Sequence, residues 1–352
     1  MTPLAALIAA RIAATGPITL ADYMADCLLH PAHGYYTTRD PFGTAGDFIT
    51  APEISQMFGE LIGLALAQVW LDQGRPDPVM LVELGPGRGT LMADILRATA
   101  GVPGFASAAR VHLVEASARL RAVQAMRVPA ASWHDTLATV PAGPLLLVAN
   151  EFLDALPIRQ FIRDGDGWRE RVVGLAGGRL VFGLTMAAPF GPLAQRLADT
   201  GQGDLVELCP ALPPLVAQIA GRIAGHGGAA LIIDYGCWRS QGDTLQAIQG
   251  GAAADPLAAP GLADLTAHVD FEAIALASAP ARHSRLTPQG VFLDRLGLQQ
   301  RSARLAQSLS GPALASHLAA YRRLTDPGEM GHLFKVMGLW PATAPPLPGL
   351  AS

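Results

Sequence analysis

Short apolar runs alternate with stretches of helical spacing through the middle of the chain. Residues 79–84 are almost entirely apolar, as expected for a strand that is buried on both faces. Residues 90–99 have helical spacing, and residues 111–114 and 117–126 repeat the order of strand and helix. Residues 145–149 predict a further strand. This alternation predicts an α/β fold with a parallel, doubly wound Rossmann-like sheet.

Other patterns flank this region. Residues 1–75 have mostly helical spacing, but a Gly- and Pro-rich stretch at residues 30–52 predicts a long loop, and loops of that length are often functional. Residues 157–206 predict antiparallel strands around Gly and Asp turns. Strand and helix patterns return near residue 212, which favours an insertion over a separate domain.

These patterns predict a domain organisation. It comprises an N-terminal helical cap at 1–76 with a lid loop at 30–52, a core at 77–340 with an inserted antiparallel β segment at about 157–206, and a C-terminal tail at 341–352. Within the core, residues 242–260 predict a loop, and residues 292–309 and 314–324 predict two helices.

The composition excludes several classes of protein. Half of the residues are hydrophobic and 15% are charged, which is enough apolar material for a core and argues against disorder. A net charge of −4 gives no electrostatic reason to expect a nucleic-acid partner. Residues 61–71 are too short an apolar stretch to cross a bilayer, so we expect no membrane insertion. Three dispersed cysteines and no secretory signal predict a cytoplasmic protein without a metal site.

A glycine-rich turn lies between the first predicted strand of the core and the helix that follows. Gly85, Pro86, Gly87 and Gly89 allow a tight turn and a close approach of backbone to a ligand. The helix that follows offers unpaired N–H groups to an anionic part of that ligand. A tight turn without a ligand is the alternative, but the position after a buried strand favours a nucleotide-type site.

The spacing of the glycines discriminates between nucleotide cofactors. The dinucleotide fingerprint needs glycine at the position of Thr90, whereas G-x-G-x-G preceded by an acid, Glu83, matches class I methyltransferases. We therefore predict S-adenosylmethionine as the cofactor. Its carboxylate would meet the N–H groups of the loop, and acidic side chains would meet its amino group and ribose hydroxyls.

Two more acids follow predicted strands and are candidates for the cofactor site. Glu115 ends the second strand and is placed to accept hydrogen bonds from the ribose hydroxyls, although it could instead be a solvated acid that opens a helix. Asp135 follows a short strand and could reach the adenine amino group. We also count Asn150, at the end of the next strand, among the cofactor-binding residues.

Further polar residues predict a catalytic face. Glu151 and Asp154 follow the strand at 145–149 and share a face if their turn is helical, and such carboxylates would suit a cationic substrate. Helix capping by Asn150, with Glu151 in the first turn, is the alternative. Asp47 and Glu53 lie at the end of the predicted lid, where they could instead cap the next helix.

One histidine is a candidate proton acceptor. His268 and Asp270 alternate with apolar neighbours, so both are expected to point the same way from a strand. A structural histidine held by Asp270 explains the spacing equally well.

Five segments together resemble a known family. They are Gly46 to Gln56 (GDFITAPEISQ), Leu81 to Leu91 (LVELGPGRGTL), Asn150 to Pro157 (NEFLDALP), Asp234 to Gly236 (DYG) and Ala263 to Phe271 (ADLTAHVDF). The chain resembles the mitochondrial complex I assembly factors with protein-arginine methyltransferase activity and their bacterial relatives, from the N-terminal helices to about Met337. The first and third segments are more specific than the glycine loop, which many methyltransferases share.

The resemblance implies a class I methyltransferase core that makes symmetric dimethylarginine on the 49 kDa-type subunit of respiratory complex I. It thus implies a protein partner, a complex I subunit. Two alternatives stay open on the sequence: an assembly chaperone that uses the cofactor structurally, and a methyltransferase for small amines.

Overall fold

The computed structural model describes residues 2–39 and 49–351. Its α-helices are α1 Pro3–Thr15, α2 Leu20–Leu29, α3 Tyr35–Thr38, α4 Ala51–Ile54, α5 Gln56–Asp72, α6 Thr90–Thr99, α7 Phe105–Ala108, α8 Ala118–Arg127, α9 Leu212–His226, α10 Phe271–Ala277, α11 Gln289–Arg295, α12 Leu298–Ala306, α13 Gly311–Thr325 and α14 Met330–Leu333. Two 3-10 helices span Leu137–Thr139 and Gly191–Ala198.

The strands belong to three sheets. They are β1 Ile18–Thr19, β2 Val79–Leu84, β3 Ala109–Val114, β4 Ser132–His134, β5 Leu145–Asn150, β6 Arg159–Asp164, β7 Gly167–Ala176, β8 Arg179–Leu184, β9 Leu205–Leu208, β10 Gly228–Cys237, β11 Gln246–Gln249, β12 Ala252–Ala253, β13 Asp264–Thr266, β14 Val269–Asp270, β15 Arg282–His283, β16 Thr287–Pro288 and β17 Phe334–Trp340.

The main sheet has the order β15-β17-β10-β5-β2-β3-β4, with β14 beside β10 and β16 beside β17. Strands β4, β3, β2, β5 and β10 are parallel, and β17 is antiparallel to β10. The chain order reverses at β2, whose neighbours β3 and β5 lie on opposite sides. Ligands of such sheets bind beyond the carboxyl ends of the strands at the reversal. The predicted Rossmann-like α/β fold is therefore confirmed.

The two faces of the sheet are covered by helices, as the apolar runs predict. Every residue of β2 and β5 is buried. Helices α5 and α6 pack on one face and α9 and α10 on the other. The predicted strand at 79–84 and helix at 90–99 coincide with β2 and α6.

Two sequence predictions for the later part of the chain are wrong. The stretch at 242–260 contains β11 and β12 rather than loop alone, because residues 246–248 pair with β13. The predicted helix at 292–309 is two helices, since Gly297 adopts φ +94° and separates α11 from α12.

A second sheet has the order β1-β7-β6-β9, with β8 beside β7, and contains the antiparallel strands predicted for the insertion. The N-terminal residues join this sheet, because β1 pairs with β7 and both α1 and α2 pack against it. Helix α5 instead packs against α6 on one face of the main sheet. The domain boundaries stay a prediction.

The segment after β17 packs on the core. Leu347 and Leu350 are 2% and 9% exposed and lie against Gly338 of β17. Among the described residues, no helix is long and apolar enough to cross a membrane.

We predict that Leu347→Ala lowers the free energy of unfolding by about 2–5 kcal/mol, because it leaves a cavity against β17. Urea denaturation measures this as a lower midpoint with an unchanged slope. Leu276→Ala is the matched control, since Leu276 is 73% exposed. An equal, small effect of both variants would show that residues 341–351 add nothing to the core.

Candidate active site

The glycine loop is a tight turn at the carboxyl end of β2. The Gly85 N–H donates to Val114 O at 3.0 Å, which ties the loop to β3. Gly85 and Gly87 have φ values of +60° and +52°, which glycine adopts without strain. A Cβ on Gly85 would lie 2.5 Å from Phe152 Cδ2, so the glycine also lets that ring pack on the loop.

Gln124 of α8 connects the glycine loop to Glu115, which follows β3, and the sequence analysis missed it. Its Nε2 donates to Gly87 O at 2.8 Å and to Glu115 Oε2 at 3.2 Å. Its Oε1 accepts from Trp133 Nε1 at 2.8 Å. The side chain is fully buried. No sequence signal marks it, because a glutamine within an amphipathic helix is usually on the surface.

Glu115 and Asp135 end neighbouring parallel strands but differ in environment. Glu115 is buried, its Oε1 accepts from Ser117 N at 2.8 Å, and burial raises its pKa. Asp135 has an 83% exposed side chain that pairs with Arg121 at 2.5 Å. Both acids lie at the carboxyl ends of their strands, and their contacts with the cofactor stay a prediction.

A cavity lies between the glycine loop, the end of β5 and α4. It is lined by Thr50, Pro52, Glu53, Glu83, Gly85, Pro86, Gly87, Arg88, Thr90, Leu91, Asn150 and Glu151. Two acceptor atoms in its walls, Glu83 Oε2 and Asn150 Oδ1, are buried and have no hydrogen-bond partner among the described residues. Burial raises the pKa of Glu83 to about 8. Unpaired buried acceptors are costly, so this cavity suits a ligand that carries donors or positive charge.

The turn after β5, residues 151–157, differs from both predicted forms. It is not helical, and Glu151 has φ +51°, which is rare for a residue other than glycine. Glu151 and Asp154 therefore do not share a helix face, and Asn150 caps no helix. Backbone strain of this kind persists only where the surroundings enforce it, and it is concentrated at functional sites.

Asp234, near the end of β10, enforces this turn, and sequence reasoning missed this role. Its Oδ2 accepts from the backbone N–H groups of Phe152, Leu153 and Asp154 at 3.2, 2.9 and 3.2 Å. Its Oδ1 accepts from Tyr235 N at 2.9 Å. The carboxylate is 1% exposed. The segment Asp234 to Gly236 is part of the family resemblance, but nothing local in the sequence points to the turn that Asp234 holds.

Glu151 contacts the segment predicted as the end of the lid. Its Oε1 accepts from Ala51 N at 2.9 Å and from Asn150 Nδ2 at 3.1 Å. Burial, and to a smaller extent the charge of the nearby Asp154, raises the pKa of Glu151 to about 7. Glu151 thus holds the first residue of α4 beside the cofactor-binding cavity and can exchange a proton near neutral pH.

Glu53 of α4 lies against the helix that follows the glycine loop. Its Oε1 accepts from the Thr90 hydroxyl, and Arg127 lies 3.5 Å from the same oxygen. The structure brings Glu53 and Glu151 to one cavity, as the sequence predicts. Asp47 lies outside the described residues.

Asp154 lies behind the turn rather than in the cavity wall. It is 7% exposed, and its Oδ1 is buried without a hydrogen-bond partner among the described residues. Burial raises the pKa of Asp154 to about 6.

The prediction for His268 and Asp270 is wrong in its geometry. His268 lies between β13 and β14, so the two side chains do not follow one strand. Asp270 caps α10 and accepts from Ala273 N and Ser240 N, each at 3.0 Å. The His268 ring packs edge-on against Tyr235, and burial lowers its pKa.

The residues at this edge of the sheet fit S-adenosylmethionine. The unpaired Glu83 oxygen suits its ammonium group, and Gly85, Pro86 and Gly87 line the same cavity. Contact of Glu115 with its ribose hydroxyls stays a prediction. The fold and this donor set define a class I methyltransferase.

Comparison with known proteins identifies the family. Residues 61–290 match the model of a family described as S-adenosyl-L-methionine-dependent methyltransferases. The chain belongs to this family, and S-adenosylmethionine is its cofactor.

The chain is similar to "Protein arginine methyltransferase NDUFAF7, mitochondrial" of Mus musculus, with 38% identity over 97% of this chain and 85% of the relative. The Homo sapiens protein of that name is 36% identical over 97% and 84%. A Burkholderia thailandensis structure bound to S-adenosyl-homocysteine superposes with a TM-score of 0.84 and 31% identity, over 98% of this chain and 94% of that chain. The predicted family, enzyme class and cofactor are thus confirmed.

The predicted cytoplasmic location is contradicted by these comparisons. The animal relatives are named as mitochondrial proteins, so dispersed cysteines and an apolar N-terminus do not establish a cytoplasmic location.

We predict that S-adenosylhomocysteine binding at pH 7 releases up to about one proton, because its ammonium group favours ionised Glu83, whose pKa in the free protein is about 8. For the same reason affinity rises with pH up to about 8. Calorimetry in two buffers of different ionisation enthalpy counts the protons.

Glu83→Gln should abolish the release, whereas Glu207→Gln, a buried glutamate in the second sheet, should retain it. Unchanged proton release in Glu83→Gln would place the titrating group elsewhere.

Proposed function

We propose that this methyltransferase modifies an arginine side chain of a protein. The names of its relatives support this substrate class. The observation that carries the proposal is the pair of carboxylates, Glu53 and Glu151, at one cavity beside the glycine loop. An arginine guanidinium forms charge-assisted hydrogen bonds with carboxylates, whereas an acidic or apolar substrate would be repelled or left unpaired.

The chain's own residues have separate tasks in this proposal. Bound S-adenosylmethionine supplies an electrophilic methyl group on a sulfonium. Glu151 and Glu53 orient the guanidinium so that one of its nitrogens faces that methyl group. The nitrogen–carbon bond forms as the carbon–sulfur bond breaks, and the electron pair stays on sulfur.

A proton must also leave the guanidinium, because arginine stays protonated in water. Glu151 is suited to receive it, since its pKa of about 7 matches a proton acceptor at neutral pH. Asp154 and His268 stay predicted catalytic residues, although neither lines the cavity beside the glycine loop and the His268 ring packs against Tyr235. Asp47 stays a predicted contributor from the preceding segment.

For the particular target we propose the 49 kDa-type subunit of respiratory complex I, with symmetric dimethylarginine as the product and assembly as the purpose. Only the family resemblance supports this finer proposal.

The experiment is incubation of the purified enzyme and labelled S-adenosylmethionine with an extract of cells that lack the enzyme. We expect label on an arginine of one protein, identified by mass spectrometry as the complex I subunit. Label on small amines alone would contradict protein methylation, and label on another protein would contradict only the target.

We predict that Glu151→Gln binds cofactor normally but lowers turnover by on the order of a hundredfold. The amide oxygen can still accept from Ala51 N, so the variant removes the charge and leaves the anchor. Wild-type turnover should rise with pH up to about 7, because only the ionised carboxylate accepts a proton, and Glu151→Gln should lose this dependence.

Glu272→Gln is the control, because this carboxylate pairs with Arg239 on the surface. Wild-type turnover in Glu151→Gln would remove Glu151 from the reaction, and lost cofactor affinity would assign it to the cofactor site.

A further inference from the structure

A second cavity, of about 380 Å³, shares a wall with the cofactor-binding cavity. Glu53 lines both cavities. Ile49 and Ile54 flank Glu53 in the second cavity, and its other walls come from α13 and from Glu329. We call this second cavity the α13 groove. A side chain of a molecule in the α13 groove would therefore meet, at Glu53, a carboxylate that also lines the cofactor-binding cavity.

The last turn of α13 gives the groove positive charge. Arg322 and Arg323 line it, and neither guanidinium forms an ion pair with a carboxylate of the described residues. By contrast Arg97 and Arg301, on neighbouring helices, both pair with Glu60. The charge of Arg323 also reaches Glu151, where it opposes the larger effect of burial, which raises the pKa of Glu151.

Two acids partly offset this charge. Glu53 belongs to α4, where it also lines the cavity beside the glycine loop, and in the proposed function its carboxylate serves the target guanidinium. Glu329 is exposed at the groove wall and opposes the arginines. At the α13 end, Arg322 and Arg323 therefore face one acid, Glu329, which leaves that end positive.

The floor of the groove suits a polypeptide backbone. Ala319 and Ala320 of α13 line it, and their short side chains leave space for a chain that lies across the helix. The groove is open to solvent, as a docking site for a segment of another protein must be.

We propose that the α13 groove binds the substrate segment around the target arginine and selects segments that carry an acidic residue beside that arginine. The target guanidinium points to Glu53 and Glu151, while the neighbouring carboxylate pairs with Arg322 or Arg323. Opposite charges at the two ends of the site thereby fix the direction of the segment. This proposal rests on the proposed arginine methylation.

The test uses two fluorescent twelve-residue peptides, identical except that a single arginine is flanked on both sides by Asp or by Lys. Their binding to the enzyme with S-adenosylhomocysteine is measured by fluorescence anisotropy. We expect the Asp peptide to bind at least about tenfold more tightly. The Arg322→Glu/Arg323→Glu variant should reverse the preference, and Arg304→Glu on α12, an exposed arginine outside the groove, should keep it.

Milder Arg322→Gln and Arg323→Gln variants, checked for unchanged melting temperature, should each weaken the preference if the double variant does not fold. Equal binding of both peptides, no binding of either, or an unchanged preference in the folded variants would overturn the groove proposal. Methyl transfer is measured separately with labelled cofactor. If the Asp peptide binds but is never methylated, arginine methylation is contradicted and the groove proposal stands. If both peptides are methylated equally, the groove proposal is contradicted and arginine methylation stands.

Discussion

The buried carboxylate of Asp234 is the constraint on which the site depends. It accepts three consecutive backbone N–H groups of the turn after β5 and a fourth from Tyr235. Without these acceptors, the N–H groups would be buried unpaired, and each such group costs about 1–3 kcal/mol. The turn can therefore keep Glu151 at positive φ, a conformation that its own side chain disfavours.

Three contacts extend this constraint from β10 to the rest of the site. Phe152 packs against Gly85, which ties the turn to the glycine loop. Glu151 holds Ala51 at the start of α4, and Glu53 of α4 holds Thr90 at the start of α6. The cofactor loop, α4 and the acidic turn thus form one connected unit, which we call the acid frame. A substrate that contacts Glu53 or Glu151 therefore touches the same frame that shapes the cofactor site.

The fold was predictable from the sequence because its signals are local. Buried strands read as apolar runs, and the glycine loop reads from its spacing, so β2, α6 and β5 were located within a residue or two. The insertion strands were also recognisable from their turns. The split of α11 from α12 was missed because a single glycine inside a helical pattern is often tolerated.

The site was predictable only in part, since long-range contacts decide which side chains meet. Glu53 and Glu151 are far apart in sequence, yet both line one cavity. The role of Asp234 in holding a turn about eighty residues away has no local signature. Gln124 was missed for the same reason: its burial depends on the loop, Glu115 and Trp133 all closing around it.

Hydrogen–deuterium exchange of Asp234→Asn against the wild type tests the acid frame most directly. The variant replaces the carboxylate near the end of β10 with an amide of the same shape, which keeps only one acceptor oxygen. We expect faster exchange in residues 150–157 and also in residues 49–58, because α4 depends on Glu151 for its anchor. Faster exchange in 150–157 alone, or in neither segment, would show that the turn, α4 and the cofactor loop are held independently, and would contradict the account.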